Sequence, residues 1–265
     1  MIAIWGIVNV TPDSFSDGGA HFDPEAAIAH GRRLSADGAT VLDVGGESTR
    51  PGSEPVGADE EIRRVEAVIA ALAADGAVVS VDTYRAATAA TAIAAGARIV
   101  NDVSGGLADP GILDVVAASD VEYAIGHWRG PSADMYAKAQ YERIAREVAA
   151  ELRERAEAAL SAGIPAERII LDPGVGFAKA GQQNWELLRD LGEVTALGYR
   201  VLVGTSRKRF LETALGEAPS RERRDLATAV TSVLAARAGA HAVRVHDARA
   251  TRDALAVAAA WEGVA

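Results

Sequence analysis

Short runs of β-branched and apolar residues alternate along the chain with longer stretches rich in alanine and charge, whose apolar positions recur at helical spacing. The short runs fall at residues 2–8, 40–44, 78–81, 99–100, 121–125, 169–171, 201–203 and 242–245 and read as eight strands. Gly-rich or polar loops follow them. Helical stretches come next, among them 24–36, 59–74, 86–95, 137–162 and 225–238, several ending near a glycine suited to closing a helix.

Strands that alternate with helices pair in parallel through right-handed crossovers, and closing eight of them on themselves leaves no sheet edge. The pattern predicts an α/β fold: one (β/α)8 TIM barrel, a single domain over residues 1–265. An open doubly wound sheet is the alternative that pattern alone leaves standing. In either fold, chemistry gathers at the C-terminal ends of the strands.

Composition narrows the partners. The chain is 49% hydrophobic and 24% charged, values of an ordinary globular protein that exclude a fibrous repeat. Its 27 basic and 37 acidic residues give a net charge of −10, which opposes attraction to nucleic acid or to an anionic membrane. An anionic substrate therefore needs locally concentrated positive charge. With no cysteine, disulfides, thiolate metal sites and a cysteine nucleophile are excluded. The opening Met1-Ile2-Ala3-Ile4-Trp5-Gly6 lacks a basic flank and soon meets Asn9, Thr11, Pro12 and Asp13, so it reads as the first strand of a cytoplasmic protein.

The residues after each strand carry the chemistry. Asn9-Val10-Thr11-Pro12-Asp13-Ser14-Phe15-Ser16-Asp17-Gly18-Gly19 follows the first, and Asp43-Val44-Gly45-Gly46-Glu47-Ser48-Thr49-Arg50-Pro51-Gly52 closes the second. Both loops hold more hydroxyls and carboxylates than a turn requires. Strands three, four and six end at Asp82, at Asn101-Asp102 and at Asp172-Pro173-Gly174. One aspartate there is commonly a helix cap. Asp82, Asn101 and Asp172 together supply two carboxylates and an amide, a set suited to a flat heterocycle with several N–H groups. Paired carboxylates also serve glycoside hydrolysis, but an aromatic content of 5% offers little for stacking sugars.

Positive charge arrives last, in Ser206-Arg207-Lys208-Arg209 after the seventh strand and Arg244-Val245-His246-Asp247 at the eighth. These are the two loops where barrels often bind phosphate, and Arg244 and His246, two residues apart on a strand, share a face and can grip one anion. For Arg207 and Arg209 a basic helix start or a solvated surface is the lesser alternative. His21 and His30 read as solvated, and His127 faces the mouth by position without the spaced partners of a zinc site.

Taken in order, these seven motifs resemble the dihydropteroate synthases of folate biosynthesis, and the resemblance spans nearly the whole chain. It implies a transferase that condenses a pterin-methyl diphosphate with p-aminobenzoate and is the target of sulfonamides. It assigns Asp82, Asn101, Asp172 and Lys208 to the pterin ring, and Asn9, Arg244 and His246 to the diphosphate with its Mg²⁺, Asn9 being the metal ligand. Thr49 touches the pterin diphosphate, while Arg50, Pro51 and Ser206 help form the p-aminobenzoate site. The catalytic set is Asp82, Lys208, Arg244 and His246, with Asp13 a second carboxylate for a cationic pterin methylene, and the family forms homodimers through its outer helices.

In one place the sequence departs from that pattern. The family commonly has Met before the histidine that follows strand five, packed against the pterin; this chain has Gly126, which predicts a thinner wall and a locally larger pocket. The departure motivates a rival reading, a pterin-binding paralogue without transferase activity. A barrel methyltransferase that carries methyl from a reduced folate to a corrinoid would share the carboxylates but not the diphosphate ligands.

Overall fold

The computed structural model describes residues 2–11, 23–47, 56–130, 139–216 and 218–263. Strands β1 (Ala3–Asn9), β2 (Val41–Gly45), β3 (Val79–Asp82), β4 (Ile99–Asp102), β5 (Glu122–Gly126), β6 (Ile169–Asp172), β7 (Arg200–Val203) and β8 (Ala242–Val245) pair in chain order, all parallel. Closure comes from β8 against β1, where Ala3 lies beside Ala242 and Trp5 beside Arg244. The TIM barrel expected from the pattern is therefore present, and the open sheet is excluded.

The helices are α1 (Pro24–Ala36), α2 (Ala58–Ala74), α3 (Ala86–Ala94), α4 (Gly111–Ala117), α5 (Ile144–Ser161), α6 (Gln182–Arg189), the short α7 (Gly192–Thr195) and α8 (Glu212–Leu215), then α9 (Arg221–Arg237) and α10 (Ala248–Glu262). Asp23 and Asp247 cap α1 and α10, accepting from the amides of Ala26 and Ala250 at 3.2 and 2.9 Å. Asp247 is thus a helix cap placed beside the predicted anion site.

Strand alternation builds two cores. Trp5, Val41, Ile99, Ala124, Ile170, Leu202 and Ala242 fill the barrel axis. The intervening positions, such as Val44, Val81, Val100, Ile125, Leu171 and Val243, pack outward against the helices. No described helix is long and apolar enough to cross a membrane.

Six strands run one or two residues beyond their apolar runs, ending on Asn9, Gly45, Asp82, Asp102, Gly126 and Asp172. The hydrophobic signal stops where side chains leave the packed axis and meet the mouth, but the backbone ladder continues. Two helices also differ from expectation. Within the described residues α5 begins at Ile144, although a helix was expected from 137, and α9 begins four residues early because Ser220 caps the charged run Arg221-Glu222-Arg223-Arg224.

Candidate active site

Continuing the alternation upward from the axial layer gives the lining of the mouth. Asp43 lies two residues beyond Val41, Asn101 two beyond Ile99, Asp172 two beyond Ile170, and Arg244 two beyond Ala242. Because Val79 and Val81 face the helices, Ser80 and Asp82 face inward as well. The predicted ring set of Asp82, Asn101 and Asp172 is therefore on one interior surface, joined by Asp43, which is not in the expected set. Its signal was a carboxylate in the middle of an otherwise apolar strand.

Arg244 crosses the barrel to this acidic side. Its Nε donates to Asp43 Oδ2 at 2.5 Å and one Nη2–H to Asp82 Oδ2 at 2.6 Å, while Asn101 Nδ2 donates to the same Asp43 oxygen at 3.1 Å. Asp43 is wholly buried and Asp82 is 16% exposed. Burial pushes the Asp82 carboxyl up to about 7, assisted by Asp43 and opposed by Arg244. Burial works against charge on Arg244 also, but the two carboxylates outweigh it and hold the guanidinium protonated. Burial raises Asp172 too, with Lys208 opposing. The buried Asp43 Oδ1 and Ser80 Oγ, on neighbouring strands, have no protein hydrogen-bond partner.

Across the mouth the Ser206 hydroxyl sits 2.9 Å from His246 Nδ1 and accepts from the His246 backbone amide at 3.0 Å. With that amide on one lone pair, the hydroxyl is placed to donate to Nδ1, which is the tautomer that carries the ring proton on Nε2. Ser206 is buried and its hydroxyl is committed to His246. Lys208 donates to the Val175 carbonyl, with its ammonium 4.8 Å from the centre of the Phe177 ring, and burial lowers its pKa to about 8. Arg207 is not part of the basic mouth: Asp225 of α9 holds it through bonds of 2.6 and 2.9 Å. Arg209 is exposed.

Two histidine expectations change, and Asp102, the neighbour of Asn101, has a separate role. Asp102 points to the helices and is scaffold, accepting from the Ser104 amide and hydroxyl, the Gly106 amide and Tyr123. His127 is likewise turned away from the mouth, between Glu151 and Lys179, and burial lowers its pKa to about 4. His30 is half-buried, and burial lowers its pKa.

Gly126 is no thinned wall. A Cβ built there would lie 2.6 Å from both Cα and O of Val103, so the backbone after β4 already fills the space that a side chain would enter.

Asn9 closes β1, half-buried on the interior side. Among the described residues no cluster of three carboxylate or imidazole side chains could hold a metal. A single amide oxygen fits Mg²⁺ only when the ion takes most of its remaining ligands from substrate phosphates and water, as Mg²⁺ commonly does.

Asp13, His21, Thr49, Arg50 and Pro51 lie outside the described residues. The two ends of the second loop are described, and they are tied together. Glu47 accepts from the Val56 amide at 2.9 Å, from Tyr84 at 2.6 Å and from Arg85 at 2.8 Å. Arg85 also reaches the Val56 carbonyl at 2.7 Å and the buried Glu61 at 2.9 Å.

Known proteins resemble this chain over nearly its whole length. Residues 5–246 match the family described as pterin binding enzyme. The dihydropteroate synthase of Mycobacterium leprae (strain TN) is 48% identical over 265 residues, 98% of this chain and 93% of the relative. Among solved structures, the Xanthomonas albilineans dihydropteroate synthase with 4-aminobenzoic acid superposes with a TM-score of 0.92 at 45% identity, covering 100% of this chain and 94% of that one. The same organism's enzyme in complex with 7,8-dihydropteroate gives 0.88 at 43%, covering 100% and 95%. With barrel, mouth and full-length kinship in agreement, the chain belongs to the pterin-binding enzymes and, within them, to the dihydropteroate synthases.

Proposed function

We propose that the chain is a transferase that condenses (7,8-dihydropterin-6-yl)methyl diphosphate with p-aminobenzoate, yielding 7,8-dihydropteroate and diphosphate. The observation that carries this reading is one interior surface that gathers the acid and amide groups Asp43, Asp82, Asn101 and Asp172 together with the basic groups Arg244, His246 and Lys208, Arg244 bridging the two sets through Asp43 and Asp82. A pterin diphosphate has the complementary halves: a ring rich in N–H groups, and an anion.

Asp82, Asn101 and Asp172 accept from and donate to the ring edge, and Lys208 with Phe177 sits against it. Arg244 keeps three N–H groups beyond those given to Asp43 and Asp82, and with the Nε2–H of His246 it receives the diphosphate. Asn9 would hold Mg²⁺ together with diphosphate oxygens. When bound, the ion neutralises charge on the leaving group.

The C–O bond at the exocyclic methylene breaks with its electron pair going to diphosphate, which Arg244 and His246 stabilise. Asp82, the carboxylate already opposed to Arg244, stabilises the positive charge left on the pterin methylene. The p-aminobenzoate nitrogen forms the new C–N bond and then releases its proton, a loss easy enough to need no strong base. Thr49, Arg50 and Pro51 are assigned to the loop that completes the arylamine site, where sulfonamides would compete with p-aminobenzoate.

We also propose a homodimer. Leu226, Val230 and Leu234 recur every fourth residue on α9 and remain 65, 51 and 54% exposed, beside Val257 and Trp261 on α10 at 70 and 85%. Apolar surface continuous over two adjacent helices is the signature of an interface.

The reaction is tested by incubating purified protein with the dihydropterin-methyl diphosphate, p-aminobenzoate and Mg²⁺. Equal release of pyrophosphate and dihydropteroate is expected. Tight pterin binding without either product would establish the paralogue instead.

A further inference from the structure

The loop after β6 carries a second buried lysine for which the reaction above has no use. Gly174, Gly176 and Ala178 all adopt positive φ, at 65, 84 and 49°, so the segment coils on itself and turns its carbonyls inward. Lys179, 1% exposed, fills the centre of that coil. Its Nζ donates to the Gly174 carbonyl at 3.0 Å, to the Phe177 carbonyl at 2.9 Å, and meets His127 Nδ1 at 2.9 Å.

The third contact fixes the protons. His127 Nε2 lies 3.0 Å from a Glu151 carboxylate oxygen, which can only accept, so the ring proton is on Nε2 and Nδ1 is a bare acceptor. Three acceptors then meet three N–H groups, and Lys179 is held as an ammonium although burial favours its neutral form. Arg129 clasps Glu151 from the other side through Nε at 3.1 Å. Asn184 secures the rest of the coil, accepting from the Gly176 amide at 2.6 Å and donating to the Lys179 carbonyl at 3.1 Å.

What this coil presents to the mouth is the far end of the ring pocket. Lys208 hydrogen-bonds the Val175 carbonyl, its stem packs where a Cβ on Gly176 would come within 3.0 Å, and its ammonium lies over Phe177. The two lysines grip alternate carbonyls of one loop, Lys179 from behind and Lys208 from the pocket. We propose that Lys179, oriented by His127 and Glu151, is a positioning residue that sets the β6 loop and thereby places Phe177 and Lys208 against the pterin ring.

This inference rests on the pterin reading of the pocket. The test measures, by calorimetry, binding of 6-hydroxymethylpterin to the wild-type chain and to Lys179→Met, alongside KM for both substrates. Loss of charged hydrogen bonds to the loop is expected to weaken the pterin roughly tenfold and to raise the pterin diphosphate KM, with the p-aminobenzoate KM little changed. A merely structural role would lower thermal stability without that split between the two KM values. Glu151→Gln keeps both Lys179 and His127 and should give a smaller loss in the same direction, so it serves where Lys179→Met does not fold. Folded variants that bind pterin as the wild type does would overturn the proposal. Failure of the wild-type chain itself to bind pterin would instead sink the reading of the pocket, and this inference with it.

Discussion

Individual residues show both the reach and the limit of the sequence. Asp82, Asn101 and Asp172 could be chosen because each stands just past an apolar run, and Arg244 because it shares a strand face with His246. Asp43 showed only as a carboxylate within an apolar strand, and its role became visible through its contact with Arg244, 201 positions away. His127 was misplaced because position after a strand does not say which face the side chain takes, and the alternation from Ala124 through Gly126 turns it to the helices. That burial gives a pH signature. Unfolded, His127 takes up a proton near 6.5; folded, it resists until about 4, so stability present above pH 6.5 is lost as pH falls toward 4. The loss is roughly 3 kcal/mol. Denaturant melts across that window should fall less steeply for His127→Gln than for the wild type. Gly126 was legible as a departure but not as a consequence, since only coordinates reveal Val103 beneath it. Gly126→Ala is expected to destabilise by about 1–3 kcal/mol in urea titration, because the obstacle is backbone. Unchanged stability would show that the β4 loop yields easily.

At the scale of elements, periodicity located all eight strands, and it failed at ends. Apolar runs stop where solvent and substrate begin, so the last rungs of β1 to β6 were invisible as strand. Charged first turns hid the start of α9 for a related reason: Arg221 to Arg224 read as loop until Ser220 is seen to cap them. The clamp on the second loop was beyond sequence altogether, since Glu47 and Glu61 stand at opposite ends of that loop and Arg85 comes from the next βα unit. Arg85 is the hub of that clamp, and Glu61 is 1% exposed. Arg85→Ala strands a buried carboxylate and should cost about 3 kcal/mol by chemical denaturation. The same variant releases Val56 from Glu47's partner, so its p-aminobenzoate KM should rise. A variant of wild-type stability would mean that water replaces the guanidinium.

For the whole molecule, the barrel was legible because eight repeats admit few topologies, and the proposed dimer face was not, because Leu226, Val230 and Leu234 are ordinary helix residues until their exposure is known. If α9 and α10 pair two copies, Leu234→Glu should shift sedimentation from dimer to monomer, and a wild-type chain that sediments as a monomer would remove the proposal. The span of Arg244 has a last consequence for how the protein is made. Synthesis delivers Asp43 and Asp82 long before residue 244, so both carboxylates precede the guanidinium that pairs with them. Sealing of β8 against β1 and pairing of Asp43 and Asp82 with Arg244 are then a single event, and a chain clipped before residue 244 is expected to lack both the closed sheet and a competent pocket.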